Sequence, residues 1–97
     1  MLQKEKMSEV KVLKLTTGEE IIARVKQSRD YMELEKPMTM APVPGQSPGQ
    51  MGFAMVPWMM AAKGDLIQLS LSHIVIETEA KSEIEKNYLA SITGLSL

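Results

Sequence analysis

The first third of the chain alternates between apolar and polar residues with a period of two, the pattern of half-buried β-strands. Residues 10–15 and 20–26 predict two such strands, and residues 31–35 predict a third after a short polar turn. Gly18 lies between the first two, where a tight hairpin turn needs a positive φ. The pattern therefore predicts an antiparallel meander of three strands.

The middle of the chain is interrupted by residues that end strands. Residues 42–52 contain three prolines and three glycines, which predicts a loop because proline has no N–H to donate to a sheet. Residues 52–60 predict an apolar strand that ends or bulges at Pro57. Residues 66–77 predict further strand, broken near His73.

The hydrophobic period becomes helical near the C-terminus. Ser82 and Glu85 fit a capping box, and Gly94 is typical of the residue that follows a helix. Four apolar side chains fall on one helical face: Ile84, Tyr88, Leu89 and Ile92. A helix is therefore predicted over residues 82–93.

Charge is distributed unevenly along the 97 residues. Residues 1–36 carry eight basic and seven acidic side chains, whereas residues 37–76 carry only Lys63 and Asp65 besides His73. So long a segment with so few charges cannot all be buried inside so small a monomer, and we expect part of it to be covered by another chain. The net charge of −1 argues against a protein that coats nucleic acid through bulk positive charge.

The composition excludes several kinds of chemistry. The chain has no cysteine, which rules out disulfides, thiolate zinc sites and cysteine nucleophiles. His73 lies near Ser70 and Ser72, but a nucleophilic site also needs a third group and an oxyanion hole. The carboxylates of Glu33 and Glu35 fit a solvated strand face better than an acid–base pair. We predict a non-enzymatic protein without catalytic residues, metal or cofactor.

The sequence also bears on the compartment of the protein. It contains no apolar run suited to a signal peptide, and none approaches the roughly 20 residues of a membrane span. We therefore expect no membrane partner and a cytoplasmic location.

Residues 10–40, VKVLKLTTGEEIIARVKQSRDYMELEKPMTM, resemble the first motif of Sm-like proteins, the LSm and Hfq superfamily. The matching positions are hydrophobic residues, a turn glycine and an Asp–aromatic–Met sequence: Leu15, Gly18, Ile21, Val25, Asp30, Tyr31, Met32 and Leu34. Residues 69–77 resemble the end of the fourth strand, a short turn and the fifth strand. The arrangement is most similar to small Sm-like proteins encoded by bacteriophages, which carry a segment like Val-Pro-Trp at residues 56–58.

The resemblance implies a mainly β fold. This fold is a small, strongly bent, five-stranded antiparallel barrel of Sm or SH3-like type, here with a C-terminal helix. It divides the chain into a flexible N-terminus over residues 1–9, an Sm-like barrel over residues 10–78, and a helix and tail over residues 79–97. For a phage-encoded protein the cytoplasm is that of the host cell.

The resemblance also implies a ring that binds single-stranded RNA through turn residues lining the ring. The corresponding site residues in this sequence are Arg29, Asp30, Tyr31, Glu33, Lys36 and His73. Tyr31 is expected to stack on a base. Arg29, Lys36 and His73 are expected to supply hydrogen bonds or positive charge for phosphates.

The chain departs from the family pattern in three places. Ala23 replaces the common glycine of the second strand, and Glu33 replaces the asparagine that contacts the base. The Arg-Gly pair of the eukaryotic second motif is missing. An acidic residue at the base position leaves a second interpretation open, in which the ring is a structural or protein-interaction scaffold, such as a phage factor, without RNA.

The apolar outer strands predict a homo-oligomer. Pairing strand four of one subunit with strand five of the next is a heterologous contact, and such contacts repeat until a ring closes. By analogy with Sm-like rings, we expect five to seven subunits. The contact is expected to involve apolar residues of these strands: Phe53, Met55, Trp58, Met59, Leu69 and Leu71.

Overall fold

The computed structural model describes residues 9–45, 47–64 and 66–93. The flexible N-terminus predicted for residues 1–9 lies outside this part except for its last residue, as do Asp65 and the helix stop at Gly94. The described residues form six strands, one 3-10 turn and one helix. Their bounds are β1 Glu9–Leu15, β2 Glu20–Gln27, β3 Tyr31–Pro44, β4 Met51–Pro57, β5 Leu66–Ser70, the 3-10 turn Leu71–His73, β6 Ile74–Glu79 and α1 Ser82–Thr93.

The strands form one antiparallel sheet in the order β4-β3-β2-β1-β6, and β5 also pairs with β3. The long β3 has two partners in succession, β5 along residues 31–35 and β4 along residues 38–44. The fourth strand of the predicted barrel is divided into β4 and β5. The described residues therefore form six strands in place of the five predicted. The strongly bent antiparallel sheet and the C-terminal helix are confirmed. Among the described residues no ladder joins β6 to β4 or to β5, so hydrogen bonds do not close the barrel.

The core lies on one face of the three central strands. Alternate residues of β1, β2 and β3 form it, each at most 5% exposed: Leu13, Leu15, Ile21, Ala23, Val25, Met32 and Leu34. Partly buried side chains pack against this cluster: Trp58, Ile67, Leu69, Leu71 and Ile74. A one-residue slip of any central strand moves its apolar set to the wrong face, so this cluster fixes the register.

The helix α1 packs on the opposite face of the sheet. It spans the predicted residues 82–93, and Tyr88 is its fully buried side chain. Val10 and Arg24 line a groove together with Leu89 of the helix. Ile22, on this second face, is only 2% exposed although its neighbours in the alternation are charged. The sheet therefore has apolar contacts on both faces.

The segment over residues 42–52 is not the predicted loop. β3 continues to Pro44 and β4 begins at Met51, so the connection is confined to residues 45–50. The β3–β4 hairpin of residues 38–57 is termed the arm. β2 pairs with the arm only as far as Thr39, and beyond that point the described strands of the arm have no third neighbour.

The arm accommodates its prolines because of their register. The Gly45 N–H donates to the Gln50 carbonyl at 2.8 Å, and the Trp58 N–H donates to the Pro37 carbonyl at 2.9 Å. Both bonds place the backbone groups of odd-numbered β3 residues toward β4. The two prolines of the arm's β3 strand are even-numbered, so their nitrogens face away from β4 and cost no bond to it.

β3 bends at Lys36, where a bulge interrupts its pairing with β2. Ile22 and Arg24 of β2 are separated by one residue, whereas their partners Met38 and Glu35 are separated by two. Lys36 itself has a φ of 50°, a region that residues other than glycine rarely adopt. Bulges of this kind bend the strand and leave backbone groups without a ladder partner.

The hydroxyl of Tyr88 occupies this break in the ladder. It accepts a hydrogen bond from the Arg24 N–H at 3.1 Å, and its own hydrogen faces the carbonyls of Glu35 and Lys36, both at 3.0 Å. One side chain of α1 therefore satisfies backbone groups of two strands and ties the helix to the bend of the sheet.

Candidate nucleic-acid interface

Two turns that are distant in sequence meet at one end of the sheet. The β2–β3 turn ends at Asp30, whose carbonyl accepts a hydrogen bond of 3.5 Å from the Leu71 N–H at the start of the 3-10 turn. The next residue, Tyr31, pairs directly with Ser70 of β5. Residues predicted to act together in RNA binding are therefore brought to one place by the pairing of β3 with β5.

The β1–β2 turn joins them. The Thr16 N–H donates to the His73 carbonyl at 2.8 Å, and the Gly18 N–H donates to the Leu15 carbonyl at 2.8 Å. Gly18 has the predicted positive φ, 95°. The three turns, residues 16–19, 28–30 and 71–73, are termed the turn cluster.

Tyr31 is the side chain of this region best suited to stacking. Its backbone carbonyl accepts from the Ser28 N–H at 2.9 Å, which closes the turn. The ring is half-buried and lies on the sheet face opposite the buried Met32. A partly covered ring held by a closed turn can present one face to a nucleobase.

Exposed side chains lie in the turns next to Tyr31. Arg29 and Asp30 are exposed in the β2–β3 turn, and His73 is exposed at the end of the 3-10 turn. Ser70 caps that turn: its hydroxyl accepts from the Ser72 N–H at 3.4 Å and lies 3.0 Å from the Ser72 hydroxyl. The two serines therefore stabilise the turn that carries His73.

Glu33 lies one step further along β3 from Tyr31 on the same face. It pairs with Lys26 on β2 and with Gln68 on β5. It also lines a groove of about 310 Å³ whose charged side chains are balanced in sign: Arg24, Lys26, Glu33 and Glu35. An ionised carboxylate only accepts hydrogen bonds, so Glu33 suits a group that donates them.

Lys36 is separated from the turn cluster. It lies within β3 at the bend, five residues from Tyr31, which corresponds to roughly 16 Å along a strand. The sequence interpretation placed it in a turn with Arg29 and His73. The structure brings Arg29, Asp30, Tyr31 and His73 together and leaves Lys36 at the far end of the same strand segment.

The six apolar residues predicted for the subunit contact lie in three kinds of environment. Phe53 and Met59 are exposed, by 66% and 46% respectively. Met55 is half-buried and lines a groove with Ile84 of α1. The other three pack against the core of their own chain: Trp58, Leu69 and Leu71.

Trp58 has a second contact within the chain. Its indole N–H donates to a carboxylate oxygen of Glu19 at 2.8 Å, which links the end of β4 to the β1–β2 turn. Trp58 is half-buried by these contacts within its own chain, and its part in a subunit contact stays a prediction.

Some exposed apolar side chains were not singled out by the sequence analysis. Leu66 on β5 is 61% exposed, and Val75 and Ile76 on β6 are 59% and 51% exposed. The consecutive apolar run at residues 74–76 is the sequence signal for exposed apolar side chains on β6. In an ordinary edge strand, apolar and polar residues alternate.

No group of three or more histidine, aspartate or glutamate side chains lies together as a metal site in the described part of the chain. Among the same residues, no helix is both long and apolar enough to cross a membrane.

One of two comparisons with known proteins agrees with this geometry. Comparison with curated protein sequences returns no match. A family model described as the Sm_like domain matches residues 12–89, well over half of the chain. The match begins in β1 and ends in α1, so it covers the bent sheet and all three turns of the turn cluster. The chain belongs to the Sm-like family.

Proposed function

We propose that the protein is a non-enzymatic, ring-forming Sm-like subunit that binds single-stranded RNA at the turn cluster. Sm-like domains generally form oligomeric rings that bind RNA and are not enzymes. The main support within this chain is the juxtaposition of Tyr31 with the 3-10 turn that carries His73.

Each side chain has a distinct role in this proposal. Tyr31 stacks on one base, an interaction worth ~1–3 kcal/mol and tolerant of base identity. Arg29 is exposed beside it and binds a phosphate, while the exposed His73 imidazole forms a hydrogen bond. Glu33 accepts hydrogen bonds from a base amino or imino group.

The proposed ring rests on two outer strands. The Leu71 N–H donates to the Asp30 carbonyl, so odd-numbered residues of β5 direct their backbone groups toward β3. The backbone groups of Leu66, Gln68 and Ser70 therefore face outward. β6 is the other end of the sheet and exposes Val75 and Ile76. Pairing β6 of one subunit with this outer edge of the next closes a ring, for which we propose five to seven subunits.

Direct titration of RNA tests the proposal. Fluorescent oligo-U and oligo-A are titrated with the protein at several salt concentrations, and oligo-C and oligo-G extend the series. We expect a base preference and an affinity that falls with salt, since each phosphate contact contributes a slope of about −0.7 on logarithmic axes for single strands. Equal binding of all bases without salt dependence contradicts the proposal.

A scaffold ring without RNA is the second candidate. The acidic side chains of Asp30 and Glu33 at the proposed site, together with the net charge of −1, favour it. Light scattering and RNA titration distinguish the two. A scaffold retains the ring mass and binds none of the oligonucleotides.

A further inference from the structure

The two edges of the arm differ in their capacity to pair with another strand. On the β3 side the outward positions beyond the β2 ladder are Met40, Pro42 and Pro44. Two of these three residues have no N–H, and proline at an edge prevents a further strand from adding. This edge of the arm is therefore blocked.

The edge formed by β4 is open. The hydrogen bonds at both ends of the arm direct even-numbered β4 residues toward β3, so Met51, Phe53 and Met55 direct their N–H and C=O groups outward. Within the described residues, β3 is the strand that pairs with β4. No proline interrupts this edge before Pro57, the last residue of the strand.

Charge restricts what can occupy this edge. Residues 37–62 contain no charged side chain, and Met51 and Phe53 are 67% and 66% exposed. Lys81 and Glu83 line a groove with Phe53, and their opposite charges leave no net positive charge there for phosphates of nucleic acid or lipid. Edge strands commonly carry a lysine that keeps copies apart, and here none is present. An identical uncharged strand meets no electrostatic repulsion.

The proposed ring, on which this inference rests, does not use the β4 edge. In that ring β6, which is six residues long, pairs with the outer edge of β5 in the next subunit, which is five residues long. The two strands therefore nearly match in length without β4. The seven residues of β4 form a separate edge beyond the bend at Lys36. The β4 edge is therefore left free by the proposed ring to pair with a different strand.

We propose that β4 pairs with β4 of a second copy, antiparallel and across a two-fold axis. The register that uses all three outward positions places Phe53 opposite the partner subunit's Phe53 and Met51 opposite the partner subunit's Met55. The contact is isologous, so it closes after two copies. Between copies that belong to different rings, this β4–β4 contact joins the two rings through their arms.

Cysteine cross-linking tests this register, because the chain has no cysteine of its own. Facing residues of a hydrogen-bonded antiparallel pair have Cα atoms about 5.5 Å apart, within the range that a disulfide spans. With oxidised glutathione, Phe53→Cys should give a disulfide-linked dimer on a denaturing gel. Met60→Cys, at a position 79% exposed but outside β4, is the matched control and should remain largely monomeric.

Charge variants provide a second readout in the native assembly. Phe53→Lys places two like charges opposite each other, and we expect the mass measured by light scattering to fall twofold. Phe53→Glu should behave in the same way. Mixing the two variants should restore the wild-type mass, because the opposite charges then face each other.

The outcomes separate this inference from the ring. An unchanged mass in Phe53→Lys, or no excess of dimer in folded Phe53→Cys over Met60→Cys, overturns the two-fold pairing. A ladder of cross-linked species from the double variant Phe53→Cys with Val75→Cys places β6 against β4 and also overturns it. A wild-type dimer that Phe53→Lys converts to monomer supports the pairing and overturns the ring.

Discussion

The Tyr88 hydroxyl takes the place of a strand partner for the backbone N–H of Arg24. The two residues are 64 positions apart in the sequence and meet at the bulge that bends β3. Without this contact, the Arg24 N–H loses its acceptor, and the carbonyls of Glu35 and Lys36 lose a donor. The bend of the sheet and the position of α1 therefore depend on each other.

Tyr88→Phe should lower the free energy of unfolding by ~1–3 kcal/mol. The ring remains, but the half-buried Arg24 N–H loses its acceptor, and the carbonyls of Glu35 and Lys36 lose a donor. Urea denaturation followed by circular dichroism measures the change. Tyr31→Phe is the matched control, and because the described residues make no hydrogen bond with that hydroxyl, it should cost less than about 0.5 kcal/mol. Equal losses in both variants contradict the assignment.

The same hydroxyl predicts a dependence on alkaline pH. Burial raises the pKa of Tyr88 from 10.0 to about 12, while the Arg24 N–H and the arginine charge oppose the shift. The folded pKa lies above the unfolded one, so the stabilisation is complete below pH 10 and is lost as the pH rises from 10 to 12. Tyr88→Phe should lack this loss. In Tyr31→Phe, tyrosinate absorbance reports Tyr88 alone, and a midpoint near 10 in the folded protein would refute the shift.

Glu19→Ala should loosen the contact between the β1–β2 turn and the end of β4. It removes the acceptor of the Trp58 indole N–H, an exposed hydrogen bond that we expect to contribute less than about 1 kcal/mol. Trp58 is the only tryptophan, so its fluorescence reports the change directly. Glu20→Ala, at the exposed neighbouring position, should leave the emission spectrum unchanged. Identical spectra for both variants count against the hydrogen bond in solution.

Tyr31→Ala should weaken RNA binding at least tenfold, in line with the loss of one stacked base at ~1–3 kcal/mol. The melting temperature should change little, since the ring lies outside the main core. Tyr31→Phe retains the aromatic face and should retain most of the affinity. A large loss of stability without any change in RNA affinity would assign Tyr31 a structural role.

Val75→Lys should break the ring into smaller species. The side chain is 59% exposed on β6, so a lysine there leaves the monomer fold intact but opposes pairing with another strand. Light scattering measures the mass, and Ala62→Lys, at an exposed turn position, controls for the added charge. Trp58→Glu is a less specific variant, because it also places a charge against the chain's own core. A ring mass retained by Val75→Lys excludes β6 from the contact.

Local pattern was sufficient for much of the fold. The alternation in β1, β2 and the start of β3, the glycine of the first turn and the helical period of α1 all predicted the observed elements. In each case the determining interactions lie within a few residues, and the apolar spacing itself encodes which face is buried. The family resemblance likewise rests on this local pattern around Gly18 and Tyr31.

What the sequence by itself determined is therefore β1, β2, the start of β3, the turn at Gly18 and the helix α1. Only the tertiary structure decided that Pro42 and Pro44 belong to a strand, because their tolerance depends on which neighbour their nitrogens face. It also decided that Ile22 is buried and that Lys36 lies away from the turn cluster. These outcomes depend on partners distant in sequence, such as Tyr88 at the bulge, and no local period records a contact of that kind.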